Sequence, residues 1–315
     1  MKLYTAPLEG ITGHVFRTAL NECFGPADKY FIPFIKPNQR GHFSSREKED
    51  ILPEHNRGMY AVPQILTNSV DDFVRTAEKL QSYGYREINL NLGCPSGTVV
   101  SKGRGSGFLA FPDELDRFLD GVFAQTEAEI SIKTRIGKDS PEEFGRLLEI
   151  YGKYPVKELI IHPRIQKDQY KYSPRWEVFR EACQKSRIPL CYNGDMFSAE
   201  AYRRAAAAFP EVDTWMFGRG LLMNPGLCRE IRQGIGLDKE TLRRFHDKLY
   251  GDYQGVLPGA KTVLFKMKEL WSFLAPAFTD CHKYAKRIKK AEKLPVYEAA
   301  VNDLFAEQSL EVHEP

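Results

Sequence analysis

Along the first two-thirds of the chain, short runs dense in aliphatic and aromatic residues alternate with longer stretches in which apolar residues recur every third or fourth position. The short runs are LYTAP (3–7), YFIPFI (30–35), YAVPQIL (60–66), EINLNLG (87–93), EISIKTRIG (129–137), ELIIHPR (158–164), IPLCYNGD (188–195) and TWMFGRG (214–220). Their length and richness in Ile, Val and Leu predict buried parallel strands. Between them, DDFVRTAEKLQSYG (71–84) opens on acids suited to a helix N-terminus and ends on a glycine suited to a C-terminal cap. FPDELDRFLDGVFAQT (111–126) and SPEEFGRLLEIYGKY (140–154) each carry a proline near the start, and SAEAYRRAAAAFP (198–210) begins with Ser198 as a cap.

Eight strand-then-helix units in about 230 residues have the rhythm of a (β/α)8 TIM barrel. A doubly wound open sheet is the rival, but it often shows a glycine-rich turn after its first strand, and TAPLEG is not that turn. After GIGLDKETL (234–242) the rhythm changes. KTVLFKMKELWSFLAPAF and CHKYAKRIKKAEKL have helical periodicity, and no convincing strand follows. The expected organisation is an α/β barrel over 1–235 and a small helical domain over 236–315.

The 315 residues are 42% hydrophobic and 28% charged, an ordinary balance for a globular protein. No run approaches the roughly 18 apolar residues that cross a membrane. MKLYTAPLEG is interrupted by Pro, Glu and Gly, so no secretory core is expected there and the cytoplasm is the expected location. Cys23, Cys94, Cys183, Cys191, Cys228 and Cys281 are scattered with no CxxC pair, which speaks against a disulfide framework or a zinc site. The formal net charge of +3 is too small to argue for a nucleic-acid partner; a local basic surface would have to do so.

Chemistry in a barrel gathers where the strands end. Those ends carry Pro7 and Glu9, Gln64, Asn91 and Cys94, Lys133 and Arg135, His162 and Arg164, Asn193 and Asp195, and Gly218 and Arg219. Each has an ordinary alternative, a polar residue where a strand meets water, but seven strand ends on one rim are harder to explain that way. YNGD and FGRG end neighbouring strands at the place where barrels commonly bind phosphate. Gly194 and Gly218 would let backbone N–H groups come close, and Arg219 would add a charge; two tight turns are the alternative. A lysine at a barrel mouth is costly without an anionic or acceptor partner, so Lys133 suits the N1/O2 edge of a flavin. Taken alone, His162 reads more readily as a neutral histidine satisfied by backbone.

At this point the motifs resemble one family, the tRNA-dihydrouridine synthases. TAPLEGITGHVFR, PQILTNSVDDFVRTA, INLNLGCPSGTVVSKGRGSGFL, IKTRIG, IIHPR, YNGD and FGRG occur in that family's order and at its spacings, and INLNLGCP is the most specific. PLEG and GCPSGTV look closest to the bacterial C-type subfamily, which acts on the D-loop. The resemblance implies a TIM barrel that binds flavin mononucleotide (FMN), a helical tRNA-binding domain, and reduction of the C5–C6 bond of a uridine with NADPH, or NADH, as reductant. Carried over, Pro7, Leu8 and Glu9 lie along the isoalloxazine. Gln64, Lys133 and His162 contact the ring and ribityl chain, and Asn193, Gly194, Asp195, Gly218 and Arg219 hold the phosphate. Asn91 touches flavin or uracil, with Arg135 and Arg164 also on the substrate side. Cys94 is the proton donor. Four positions depart from the pattern: Leu8 for Met, Gly13 for Asp, Pro163 for Gly, and GRGSG in the loop after Cys94. Pro163 puts the reach of Arg164 in question.

Reduction of uracil needs a hydride at C6, supplied from flavin N5, and a proton at C5. A free thiol has a pKa of about 8.5, so near neutrality it is protonated and able to donate. The loop after Cys94, with Gly97, Gly103, Gly105 and Gly107, is expected to be a mobile lid over a flipped uridine, and Ser101, Lys102 and Arg104 could meet phosphate. In KYAKRIKKAEK (283–293), Lys283, Lys286, Arg287, Lys290 and Lys293 could form one basic stripe toward RNA, or a solvated helix face. Lys36, Arg40, Arg46 and Lys48 could extend it, and Tyr170 and Tyr172 could stack on nucleotides or pack in the core. The partner implied is tRNA, with no membrane and no obligatory protein partner, the chain acting as a monomer. The rivals are an FMN barrel acting on a free pyrimidine, like dihydroorotate dehydrogenase, and a non-catalytic RNA-binding barrel.

Overall fold

Each apolar run becomes a strand, and each strand pairs in parallel with the next. The computed structural model describes residues 1–38 and 41–311, so Arg40 lies outside the described residues. The strands are β1 (Lys2–Thr5), β2 (Lys29–Ile35), β3 (Ala61–Ile65), β4 (Glu87–Leu92), β5 (Glu129–Arg135), β6 (Leu159–His162), β7 (Leu190–Tyr192) and β8 (Thr214–Phe217), and they close into a barrel in chain order. The helices are α1 (His14–Phe24), α2 (Ser45–Ile51), α3 (Val70–Ser82), α4 (Gly97–Val100), α5 (Pro112–Gln125), α6 (Glu143–Tyr151), α7 (Trp176–Lys185), α8 (Ala199–Ala208), α9 (Arg219–Met223), α10 (Leu227–Gln233), α11 (Lys239–Val256), α12 (Gly259–Leu274), α13 (His282–Lys290) and α14 (Leu294–Glu307). This is the (β/α)8 TIM barrel the sequence pattern predicts. Among the described residues, no helix is long and apolar enough to cross a membrane.

Local chemistry explains the element ends. Ser69 accepts the N–H of Asp72 and starts α3, and Ser198 accepts the N–H of Ala201 and starts α8. Pro33 brings no N–H to the ladder, and the register of β2 against β3 shifts between Ile32 and Ile35. β7 is shorter than the run 188–195 suggests, ending at Tyr192, although the Asn193 N–H still donates to the Ile161 carbonyl at 2.9 Å.

Side chains alternate between the two faces of a strand, so each inward face reads as every second residue. Tyr4, Phe31, Val62, Ile160, Cys191 and Met216 form one buried apolar cluster contributed by six strands. Below it, near the strand starts, lies an ionic floor. Lys29 Nζ sits 2.9 Å from Glu87 and 3.3 Å from Glu158, Lys157 Nζ sits 3.0 Å from Glu87, and the Tyr4 hydroxyl donates to Glu158 at 3.0 Å. The two carboxylates titrate in opposite directions. Burial pushes both up, but Glu87 has Lys29 and Lys157 and ends below the usual carboxylate range. Glu158 has to share Lys29 and also feels the charge of Glu87, so it ends above that range.

Two compact units are distinguishable within the chain. The first comprises Met1–Pro7, Asp28–Gly194 and Phe209–Met216; the second comprises Leu8–Ala27, Asp195–Ala208 and the chain from Phe217 onward. In the second unit, Phe245 of α11 meets Phe16 and Phe24 of α1 edge-on at 5.7 and 5.4 Å. Its helical core closes around a buried polar chain. Trp271 Nε1–H donates to the Tyr297 hydroxyl at 2.8 Å, and that hydroxyl donates to His246 Nε2 at 2.7 Å. His246 Nδ1–H donates to Asp247 at 2.8 Å. This arrangement requires a neutral imidazole, and burial lowers the His246 pKa accordingly.

Lys29→Met would leave two buried carboxylates short of their shared cation. We expect a loss on the order of 3–5 kcal/mol near neutral pH in urea unfolding. The difference from the parent should shrink as pH falls and the orphaned carboxyls take up protons. A loss that stays constant with pH would exclude this reading of the floor.

Candidate active site

The parallel register places Gln64 opposite Asn89, Asn89 opposite Ser131, and Asn91 opposite Lys133. All of these polar residues occupy one alternation phase of their strands. They hydrogen-bond into a continuous chain across β3, β4 and β5. Asn89 Nδ2 donates to Ser131 Oγ at 2.9 Å, Gln64 Nε2 to Asn89 Oδ1 at 2.7 Å, and Asn91 Nδ2 to Gln64 Oε1 at 2.7 Å. Asn91 Oδ1 then accepts the N–H groups of Gly93 (3.0 Å) and Cys94 (2.9 Å). Gln64, Asn89 and Ser131 are fully buried, where an unmade hydrogen bond is costly, so each amide has one preferred orientation.

Cys94 sits where this chain surfaces. Its backbone is held on both sides, because its carbonyl accepts from the Ser106 N–H at 3.1 Å and from Ser106 Oγ at 2.8 Å. Its half-buried side chain packs beside Phe34, Leu66 and Val99. Gly105, at φ +57°, lies so close that a Cβ there would stand 2.9 Å from the Cys94 carbonyl oxygen. The segment after Cys94 therefore differs from the loose lid its glycines suggest. It forms α4 and then a 3-10 turn over Gly105–Ala110, and Gly105, Ser106 and Gly107 are buried. Asn68 fastens it further, donating to the Lys102 carbonyl and accepting from Arg104 Nε, both at 3.2 Å. Gly105 and Gly107 serve close packing, Gly103 takes φ +62°, and Gly97 has open space around it. Lys102 remains exposed and Arg104 half-buried.

Lys133 is tightly surrounded yet partly accessible. Burial, reinforced by the charge of Arg135, lowers its pKa to about 8, and no carboxylate pairs with it among the described residues. His162 is buried. Its Nδ1–H donates to the Asn193 carbonyl at 2.7 Å, which leaves Nε2 as an acceptor, 3.3 Å from Arg164 Nη1. Burial and the nearby Arg135, Lys133 and Arg164 hold His162 well below the usual histidine pKa, so it is neutral at pH 7. Asn193 itself is fixed by donating to the Met216 carbonyl at 2.9 Å.

Arg135 and Arg164 are buried and turned toward backbone. Arg135 donates to the carbonyls of Gly93 (3.0 Å), Ile165 (2.9 Å) and Gln169 (3.0 Å) and lies over the Tyr170 ring at 5.4 Å. It braces the segment after β6 and holds Gln169 at φ +49°, a sparsely populated conformation for a side-chain-bearing residue. Arg164 Nε donates to the Tyr172 carbonyl, and its backbone N–H to the His162 carbonyl at 2.7 Å, a tight turn around Pro163. Arg164 thus reaches inward. Tyr170 and Tyr172 are 47% and 62% exposed, so neither packs in the core; the Tyr170 ring meets His162 edge-on at 6.0 Å.

In the second unit, Leu8 opens a tight turn in which its carbonyl accepts the N–H groups of Ile11 and Thr12 and its own N–H donates to Thr12 Oγ1. Glu9 is exposed. Arg219 pairs with Asp195 at 2.7 Å and lies over the Phe197 ring at 5.2 Å. Gly218 stands at the N-terminus of α9, and a Cβ on Gly220 would collide with the Met196 carbonyl at 2.2 Å. On α13, Lys283, Lys286 and Lys290 are exposed, while Arg287 is tied to Asp303 at 2.6 Å. Lys293 falls beyond the helix end, where it caps α14.

The family model for dihydrouridine synthase matches residues 4–311. The chain belongs to the dihydrouridine synthase family. A probable tRNA-dihydrouridine synthase of Staphylococcus aureus (strain COL) is 28% identical over 266 residues, covering 79% of this chain and 77% of the relative. The tRNA-dihydrouridine synthase B of Pasteurella multocida (strain Pm70) is 27% identical over 245 residues, covering 76% and 72%. Among solved structures, morphinone reductase in complex with tetrahydroNAD superposes with a TM-score of 0.52 at 15% identity, covering 78% of this chain and 90% of that one. The old yellow enzyme homologue from Zymomonas mobilis gives 0.52 at 13% identity, covering 78% and 92%. At these identities the likeness is one of fold.

The roles carried over from the dihydrouridine synthase motifs leave out Asn89, Asn68 and Ser106, which lie inside the motif segments, and Ser131, which lies outside them; all four hold the carried-over residues in place. A signal for two of them exists: Asn89 and Ser131 fall in phase with Asn91 and Lys133 on apolar strands. Asn89→Leu would strip Gln64 and Ser131 of partners, and we expect a loss of about 1–3 kcal/mol in urea unfolding. Lys133→Met should do the reverse in flavin-free protein, adding about 1–3 kcal/mol at pH 7 because an uncompensated cation is removed. Lys133 titrates lower folded than unfolded, so its penalty is full below about pH 8 and gone above its unfolded pKa; the gain should fade across that interval. A variant less stable than the parent at pH 7 would mean that Lys133 has a structural partner.

Proposed function

We propose that this chain reduces the C5–C6 double bond of a uridine in the tRNA D-loop to 5,6-dihydrouridine, with Cys94 as the acid that protonates C5. The observation that carries the reading is a thiol fixed at the barrel rim on a backbone anchored from both sides, in a family whose named members act on tRNA. FMN recharged by NADPH would supply the two electrons as a hydride to C6.

The residues of the first unit fit such a cofactor. Lys133 presents an ammonium with no carboxylate of its own among the described residues, as an anionic reduced ring requires. His162, neutral and with its Nδ1–H committed to Asn193, adds a polar contact without a second positive charge. Gln64 and Asn91, each locked by neighbours, offer amide edges of fixed polarity. We assign Gln64, Lys133 and His162 to the ring and ribityl chain, and Asn193 and Gly194 to the phosphate end. A Cβ on Gly194 would meet the Tyr192 hydroxyl at 2.1 Å, so the chain there admits only glycine. For Pro7, Leu8, Glu9, Asp195, Gly218 and Arg219 the cofactor assignment rests on the family pattern.

The acid role asks little of Cys94 beyond position. A protonated thiol donates, and the thiolate is restored to thiol by solvent between turnovers. The helical segment 236–315, with Lys283, Lys286 and Lys290 exposed on α13, is proposed to hold the tRNA backbone, and Lys102 and Arg104 to meet it near Cys94. Arg287, Arg135 and Arg164 act on the substrate side through the structure they brace.

Cys94→Ala should keep the flavin absorbance and the NADPH-dependent bleaching of the bound cofactor, and lose at least about a hundredfold in dihydrouridine formed on unmodified tRNA. Full product formation by the variant would remove Cys94 from the acid role. Reduction of free uracil or dihydroorotate chemistry without tRNA would favour a free-pyrimidine enzyme instead.

A further inference from the structure

On α12, the buried face is Val263, Leu264, Met267, Leu270, Trp271 and Leu274. The opposite face runs Lys261, Phe265, Lys268 and Ser272, spaced i, i+4, i+7 and i+11, and so lies in one line along the helix. Phe265 is 66% exposed, more than any other large apolar side chain described. The carboxylates nearby are already matched: Glu269 by Lys266 at 3.5 Å and Asp252 by Lys248 at 3.1 Å. Lys266 is further committed to the Gly10 carbonyl. Lys261 and Lys268, by contrast, make no ion pair among the described residues. The Phe265 ring, largely in water and touched only at its margin by Lys266 (Nζ 6.0 Å from the ring centroid), has an ammonium without an ion pair about one turn above it and another about one turn below.

We propose that Phe265 is a stacking platform for a nucleotide of the RNA substrate, with Lys261 and Lys268 holding the phosphates on either side of it. The inference deepens the tRNA reading above and rests on it. A protein partner is the less favoured occupant because lysine is depleted from the centres of protein interfaces, whereas an aromatic face bracketed by cations suits a base between two phosphates. Stacking is tolerant of base identity, so this surface would position the RNA and leave the choice of uridine to the barrel.

The test is filter binding of an unmodified tRNA transcript to the flavin-loaded full chain across a salt series. Phe265→Ala should weaken binding roughly tenfold at every salt concentration, with the salt slope unchanged and Phe265→Trp restoring affinity. The double variant Lys261→Ala/Lys268→Ala should also weaken binding but flatten the slope by about one to two. Val296→Ala, a change at a 53% exposed apolar residue on α14, serves as the control and should bind like the parent. Parent-like binding by Phe265→Ala, or a change in sedimenting mass in place of a change in RNA affinity, would overturn the proposal. Binding that depends on Phe265 in a protein that forms no dihydrouridine would overturn the reductase reading and keep the RNA surface.

Discussion

A single parallel register, Gln64 beside Asn89 beside Ser131, determines most of what happens at the barrel rim. In a closed parallel barrel a strand cannot slip by one residue without turning its whole inner face outward. Once β4 is set against β3 and β5, Gln64, Asn89 and Ser131 share one layer inside an otherwise apolar interior, bonded to one another and, through Gln64, to Asn91. Their mutual hydrogen bonds orient Asn91, and Asn91 sets the turn in which Cys94 stands. The position of Cys94 is thus a consequence of strand pairing several residues below it.

Charge is distributed along the strands in two contrasting ways. At the starts, Lys29 and Lys157 meet Glu87 and Glu158, and the positive charges are answered locally. At the ends, Lys133, Arg135 and Arg164 cluster around a histidine that they keep neutral. Arg135 and Arg164 spend donors on backbone carbonyls, which carry no net charge. A chain with a net charge of only +3 therefore has a distinctly electropositive rim, set there by where its anions were used. Such a rim lowers the energy of any anion that enters.

Much of the fold was legible in the chain. Period-two and period-three-to-four patterns locate the eight strands and most of the longer helices, because burial on both faces of a strand and on one face of a helix dictates them. The ends of elements were less legible: β7 stops at Tyr192, before the NGD turn the run includes, and the register shift at Pro33 arises from a missing N–H. At the site, Cys94, Lys133 and His162 stand out as polar residues at apolar strand ends. Asn89 and Ser131 do not, since a buried amide looks like a strand impurity until its partner on the next strand is known. The glycines after Cys94 suggested freedom, whereas Gly105 and Gly107 are there because neighbouring backbone leaves no room for a Cβ. Composition gives an equal signal for a flexible loop and a close-packed one.

The clasp on Cys94 has a kinetic meaning. With its N–H held by Asn91 and its carbonyl by Ser106, the residue retains one soft coordinate, rotation about χ1. Of the three staggered positions, a wall of Phe34, Leu66 and Val99 on one side narrows the choice further. In the acid role proposed above, any search for the reacting atom therefore falls to the substrate, because the thiol waits at a nearly fixed address.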